Sequence, residues 1–202
     1  MCWSIFIKNI SFFYEKPLEE LFSLHISMQN YTHIEPEMYL CGDTSNTSYV
    51  YGEVNPRDVV SIMKELVELG HFLDIGSGCG KLVLCVNTAF PDMYCDGVEV
   101  HDGRYQESLS WLEKYPVMQD RTEFYHNDFG RHYFGNYDVL YCCNAIYSKE
   151  DNVRLYKKLL AEFSGYAILF HYDHHLKHHL LYSRTVQTSW QKDVSVYVFY
   201  LR

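Results

Sequence analysis

From residue 49 onward, short apolar runs alternate with amphipathic stretches, and glycine, proline or acidic turns separate them. His71-Phe72-Leu73-Asp74-Ile75 is of strand length and lies between Gly70 and Gly76. A stretch from about Lys81 to Phe90 follows, with Leu82, Val83, Cys85, Val86 and Ala89; it is apolar nearly all round, as a helix packed against a sheet should be. The same alternation continues through a strand at about 94–100, a helix over 103–114 with Tyr105, Leu109 and Leu112 at packing spacings, and a strand at 122–126. A fourth strand spans Tyr137 to Cys143, an amphipathic helix Glu150 to Phe163, and a fifth strand Tyr166 to His171. Two more strands, about 181–189 and 194–201, flank a turn at Gln191-Lys192-Asp193 and read as a hairpin. Upstream, Asn55 and Pro56 suit the N-cap and first position of a helix whose face of Val59, Val60, Met63, Leu66 and Val67 runs to about Leu69.

Alternating strands and helices imply a parallel central sheet. The expectation is an α/β fold, a mostly parallel seven-stranded sheet closed by a C-terminal antiparallel hairpin. Residues 1–48 form a separate N-terminal segment of helix and loop, with a short helix at Pro17–Leu24, and residues 49–202 form one domain.

Candidate chemistry gathers at the first strand-to-helix turn, Asp74-Ile75-Gly76-Ser77-Gly78-Cys79-Gly80. Glycines permit positive φ and close approach of a ligand to the backbone. The helix that follows points its unsatisfied N–H groups at the same place. The second strand ends in Gly97-Val98-Glu99, and an acid at that tip can hold the two hydroxyls of a ribose. The unit therefore suits an adenosine-containing cofactor. Its glycines stand at 76, 78 and 80 with Asp74 ahead of them, unlike the G-x-G-x-x-G of dinucleotide sites. The run resembles the motif of S-adenosylmethionine-dependent methyltransferases of the Rossmann-like class, whose cofactor ends in an ammonium and a carboxylate rather than a pyrophosphate.

Two further positions lie where the ends of strands should meet this turn. Asp128 can accept from an adenine amine, and Phe129 can stack on its ring. Asn144 follows the fourth strand; its side chain either orients an acceptor amine or caps the loop after the strand. The Asn/Asp-Pro-Pro-Tyr pattern is absent at 144–147, and no Pro-Cys pair offers a nucleophile for cytosine chemistry.

Composition narrows the partners. The 202 residues are 48% hydrophobic, which fits one domain with a sizeable core. A net charge of −9 disfavours direct, nonspecific DNA binding but leaves room for recognition of a basic protein surface. Seven cysteines without a C-x-x-C pair suggest reduced thiols in a reducing compartment. The apolar N-terminus is broken by Lys8 and Asn9 and does not read as a signal peptide, and no run has the length of a membrane span. His171, His174, His175, His178 and His179 would form i, i+4 pairs on a helix, but no cysteine pair or acid completes a ligand set; a solvated polar linker and no metal is the expectation.

Three features occur together: Val50-Tyr51-Gly52-Glu53 ahead of a helix, Asp74 to Gly80, and the tail Ser189-Trp190-Gln191-Lys192-Asp193-Val194-Ser195-Val196-Tyr197. The trio resembles the disruptor-of-telomeric-silencing family, the histone lysine methyltransferases without a SET domain. The resemblance covers about residue 49 to the C-terminus and implies a class I, Rossmann-like methyltransferase fold with S-adenosylmethionine as cofactor and S-adenosylhomocysteine as product. It implies cofactor contacts from Tyr51, Glu53, Asp74, Gly76, Gly78, Glu99, Asp128 and Phe129. Asn144, Trp190 and Tyr197 would border the acceptor lysine, histone H3 in the nucleosome would be the partner, and the location would be nuclear. The chain departs from the family at Lys81, where the family has glutamine or asparagine, and at Cys143-Asn144-Ala145, where it has paired asparagines and a phenylalanine. It is also acidic and lacks the basic extension with which the family holds nucleosomes, so it resembles a minimal catalytic core.

Overall fold

The computed structural model describes residues 53–66 and 70–202. The proposed helix at Pro17–Leu24, the boundary at residue 48 and Tyr51 of the Tyr-Gly-Glu loop lie outside the described residues. The described chain runs α1 (Pro56–Met63), β1 (His71–Ile75), α2 (Lys81–Ala89), β2 (Tyr94–Glu99), α3 (Asp102–Lys114), β3 (Thr122–His126), β4 (Val139–Cys142), α4 (Lys149–Glu162), β5 (Gly165–Leu169), β6 (Leu180–Val186) and β7 (Val194–Leu201). The helices start where capping chemistry sets them. Asn55 accepts from the Arg57 N–H at 3.1 Å ahead of α1, and Ser148 accepts from the Asp151 N–H at 3.0 Å ahead of α4.

Seven strands form one sheet in the order β3-β2-β1-β4-β5-β7-β6. Pairing is parallel from β3 through β5, while β7 runs antiparallel to both β5 and β6. The architecture is the expected Rossmann-like one. The last strand inserts between β5 and β6, so the hairpin is part of the sheet rather than an appendage. The strand order reverses between β1 and β4, and a crevice opens there at the carboxyl ends of the strands.

Each face of the sheet carries its own apolar cluster. On one face Phe72, Tyr141, Ile168, Val196 and Val198 pack with α1 and α2. On the other, Leu73, Ile75, Leu140, Phe199 and Leu201 pack with Leu155, Tyr156 and Leu159 of α4. The split follows from the two-residue period of a strand. It also decides which face Asp74 belongs to, because its neighbours Leu73 and Ile75 belong to the α4 face.

Three elements end two or more residues earlier than their apolar patterns predict, each because its backbone finds another partner. Helix α1 stops at Met63: Glu65 and Leu66 donate to Ile62 and Met63, a tightened three-residue turn in place of a further helical turn. Strand β5 stops at Leu169 because the N–H groups of Phe170 and His171 donate to the Asn144 side chain, at 2.9 and 3.0 Å. Strand β6 stops at Val186 because Gln187–Ser189 turn to pair with Glu53–Asn55 through Asn55 N–H to the Gln187 carbonyl (2.7 Å), Ser189 N–H to the Glu53 carbonyl (2.8 Å) and a bridge between Val54 and Thr188.

Candidate active site

The glycine turn after β1 is held by its own backbone. Gly76 and Ser77 donate to the Val98 carbonyl at 2.8 and 3.1 Å, and Gly80 donates to the Ser77 carbonyl at 2.9 Å. Gly76 has φ +78° and Gly80 φ +79°. A Cβ on Gly80 would lie 2.5 Å from the Phe124 ring, so conformation and space both require glycine there; at Gly76 the positive φ favours glycine, and a Cβ would lie 3.2 Å from the Tyr147 hydroxyl.

Beside this turn, at the switch point, lies a cavity of ≈ 50 Å³ lined by Glu53, Asp74, Gly76, Lys81, Tyr141 and Cys143. Its polar groups are unusual. Asp74 is buried, and its Oδ1 finds no hydrogen-bond partner among the described residues. Two other lining groups, the Ser77 and Tyr141 hydroxyls, are likewise buried without a partner. Burial first, and then the Glu99 carboxylate, hold the Asp74 carboxyl well above the usual carboxylate range. Burial, with Asp74 beside it, pushes the Cys143 thiol up to about 12, so that thiol is neutral. Across the cavity Lys81 pairs with Glu53, both side chains mostly shielded from solvent.

The remaining positions expected to hold a cofactor surround the same crevice. Glu99, at the tip of β2, accepts from the Gly78 N–H on Oε2 (2.9 Å) and from the His101 N–H (2.7 Å) and the Arg104 guanidinium (3.1 Å) on Oε1. These donors fix the carboxylate against the glycine turn and use three of its roughly four acceptor sites. Asp128 accepts from the Gly130 N–H at 2.7 Å and pairs with Arg154 of α4. The same Arg154 guanidinium lies 4.4 Å from the centre of the Phe129 ring, and Phe129 stacks on Tyr147 at 5.9 Å. Asp74, Gly76, Gly78, Glu99, Asp128 and Phe129 thus meet along one edge of the sheet, with Glu53 facing them from the segment ahead of α1.

The three acceptor-side candidates separate. The Trp190 indole is 44% exposed and packs on Phe170 at 6.0 Å; Phe170 meets Tyr141 edge-on at 6.1 Å, and Tyr141 lines the cavity. An aromatic path therefore leads from the surface to Asp74. Tyr197 is not on that path. Its ring packs on Tyr172 at 4.6 Å on the α4 face, because its neighbours Val196 and Val198 take the cavity face. Asn144 does not open on the cavity either. It is fully buried; its amide nitrogen donates to the Asn152 side chain (2.7 Å) and the His171 carbonyl (2.8 Å), while its oxygen takes the Phe170 and His171 N–H groups. Its role is that of a strut joining β4, α4 and the chain after β5. Its neighbour Cys143, just after β4, lines the cavity instead, beside Tyr141 of β4.

Tyr141 and Arg154 were not singled out from sequence for this site, and Lys81 and Cys143 only as departures from the family pattern. Alternation along β4 carries a signal for Tyr141 and Cys143, since both share a face with Val139. Nothing in the pattern of α4 marks Arg154. The histidine run is not an α-helix: a turn leads into a single 3-10 turn, Lys177–His179, so the i, i+4 pairs do not form. The close group among the described residues is instead Asp173, His174 and His175, and His175 Nδ1 is already hydrogen-bonded to Asp173 at 2.8 Å.

Comparison with known proteins places this geometry. The family model described as histone methylation protein DOT1 matches residues 34–169, about two thirds of the chain. No curated protein sequence matches. Among solved structures, an RNA methyltransferase from Salinibacter ruber in complex with S-adenosylhomocysteine is similar with a TM-score of 0.55 and 20% identity, over 72% of this chain and 91% of that one. The mitomycin 7-O-methyltransferase MmcR is similar with a TM-score of 0.52 and 16% identity, over 65% of this chain and 49% of that one. The match thus spans about half the length of the mitomycin enzyme, and at these identities the likeness is one of fold.

Proposed function

The chain belongs to the DOT1 histone-methylation family, and on that premise we propose that it is a protein-lysine methyltransferase acting on a lysine of histone H3 in the nucleosome. The cofactor is S-adenosylmethionine, the donor that this family uses. The single observation that carries the reading is the Asp74 carboxylate, buried at the switch point beside Gly76 with an oxygen that no group among the described residues satisfies. A buried unpaired acceptor is costly unless a ligand completes it. The ammonium of the cofactor's methionyl end is such a ligand, so the residues present fit the group.

When bound, S-adenosylmethionine would supply an electrophilic methyl on its sulfonium: a C–N bond to a neutral amine would form as the C–S bond breaks, with S-adenosylhomocysteine as the leaving group. The chain's residues position and desolvate. Asp74 holds the ammonium, with Gly76 giving room for it. Glu99 takes the ribose hydroxyls on its remaining acceptor capacity, and Asp128 with Phe129 takes the adenine. Tyr141, Phe170 and Trp190 form the wall along which a lysine side chain enters. Uncharged, apolar surroundings lower a lysine's pKa by desolvation, which supplies the neutral amine without a dedicated base. The Tyr141 hydroxyl and Cys143 thiol suit that role because burial keeps both protonated. Asn144 acts one step away: it fixes the backbone of Phe170 and so the wall that Phe170 forms.

The test is transfer of labelled methyl to recombinant nucleosomes beside free histones, unrelated proteins and RNA. Incorporation into H3 of nucleosomes supports the reading; incorporation confined to other acceptors reassigns the substrate. Gly76→Arg serves as control, because a side chain there meets both a positive φ and the Tyr147 hydroxyl. Full activity in that variant would sink the site assignment.

A further inference from the structure

The chain between β5 and β6 holds chemistry that the crevice does not use. We propose that Asp173, His174 and His175 form a binding site for a divalent metal ion of the zinc type, and none of the three lines the cavity at the switch point. Sequence spacing predicts no metal here, because it looks for ligands one helical turn apart and finds no acid to complete them. The turn instead brings an acid and two imidazoles together from consecutive positions. A ring nitrogen of each histidine and a carboxylate oxygen of Asp173 all lie within 4.8 Å of one another. Ligands at about 2.0–2.2 Å from a tetrahedral zinc ion stand about 3.4 Å apart, so small side-chain rotations close the set. Both histidines are exposed and free to make them.

The three groups already face one another. His175 Nδ1 lies 2.8 and 2.9 Å from the two Asp173 carboxylate oxygens, and the His175 N–H donates to the same carboxylate at 2.8 Å. The His174 and His175 rings lie 4.0 Å apart. An imidazole nitrogen at that distance from a carboxylate shares a proton with it, and a metal ion takes the proton's place. The turn is pinned on both sides. Tyr172 packs on Tyr197 and Phe199 of β7 at 4.6 and 5.3 Å, while Leu176 is fully buried and donates its N–H to the Asp173 carbonyl at 3.2 Å. Anchored flanks reduce the entropy lost when three ligands gather on one ion. The donor set selects the metal: two imidazoles and a carboxylate suit zinc, whereas magnesium prefers oxygen alone and keeps its waters. Water fills the fourth position. The other histidines stand apart. His171 Nδ1 meets the Tyr156 hydroxyl at 2.8 Å, and His178 and His179 belong to the 3-10 turn that follows.

Calorimetric titration of the full chain, freed of metal and carrying no histidine tag, tests the site with zinc chloride beside magnesium chloride. Zinc should bind one to one at about micromolar concentration, and magnesium should not bind. His174→Ala and His175→Asn should each weaken zinc roughly tenfold or more, at least the cost of losing an outer partner of a metal site. His175→Asn keeps a donor for the Asp173 carboxylate, so the turn survives while the imidazole is lost. His178→Ala and His179→Ala should leave zinc affinity within about twofold, as changes outside the ligand set do. Zinc should raise the melting temperature of the native chain and leave that of the His174→Ala, His175→Asn double variant unchanged. X-ray absorption at the zinc edge should show two imidazole nitrogens at about 2.0–2.1 Å. Equal losses in all four single variants mean loose capture by the whole histidine run and overturn the proposal, as does zinc binding that survives the double variant. Binding only above about 1 mM marks an adventitious ion only and overturns it as well.

Discussion

Two buried polar side chains flank the switch point, and they are opposites. Asp74 at the end of β1 is 3% exposed and Asn144 just after β4 is 0% exposed. Asn144 spends both ends of its amide on α4 and on the chain just after β5. Asp74 leaves an oxygen without a partner among the described residues. Burial alone does not mark a functional residue; what separates the two is whether the protein itself completes the hydrogen bonding. A saturated buried group is architecture, while an unsatisfied one that lines a cavity is a candidate to meet a ligand.

The comparison can be broken most directly at Asp74. Asp74→Asn should reduce S-adenosylmethionine affinity by about 100-fold or more, since a charged contact to a desolvated ammonium is lost. The same change should raise the melting temperature of the cofactor-free protein, because it removes a carboxylate that burial disfavours. A lowered melting temperature would make Asp74 architectural after all. Asn144→Ala should do the reverse. Leaving its buried partners unsatisfied should cost about 2–4 kcal/mol in urea unfolding, while cofactor affinity in the folded protein stays within a few-fold. Loss of cofactor affinity with unchanged stability would exchange the two roles.

Acidity sharpens the contrast further. Since the folded Asp74 carboxyl lies above its unfolded value, folded protein keeps a proton that unfolded protein has released in the window between them. Stability of the cofactor-free protein therefore falls as pH rises through that window. Binding a cation beside Asp74 expels that proton, so cofactor affinity should rise with pH over the same window. Asp74→Asn should flatten both profiles, which paired melting and calorimetry series would detect. On the acceptor side, Trp190→Ala should raise the KM for the protein substrate several-fold with cofactor affinity unchanged. Smallest of all, Tyr197→Phe should alter either constant less than twofold, because its ring lies on the α4 face.

Much of the fold was legible along the chain. The two-residue alternation, the glycine and proline boundaries and the capping residues locate the strands and helices of the described chain to within a few residues. The misplaced ends of α1, β5 and β6 have one cause. Each backbone is captured by a group distant in sequence or by a tighter local turn, and apolar spacing carries no record of that competition.

The candidate site was legible on one side only. A turn that needs positive φ must be written as glycine, and an acid at a strand tip is visible in sequence. Asp74, Gly76, Gly78, Glu99 and Asp128 therefore follow from local chemistry, and they do converge. The acceptor side depends on which face of the sheet a residue occupies once β7 has inserted between β5 and β6. Tyr197 lies on the face away from the cavity, Cys143 rather than Asn144 lines it, and Lys81 of α2 meets Glu53 from the segment ahead of α1. Sequence by itself determined the turn and its acids, because their constraints act within a few residues. Tertiary structure alone decided what faces them, because partners across a sheet are set by strand order and register, which are global properties of the fold.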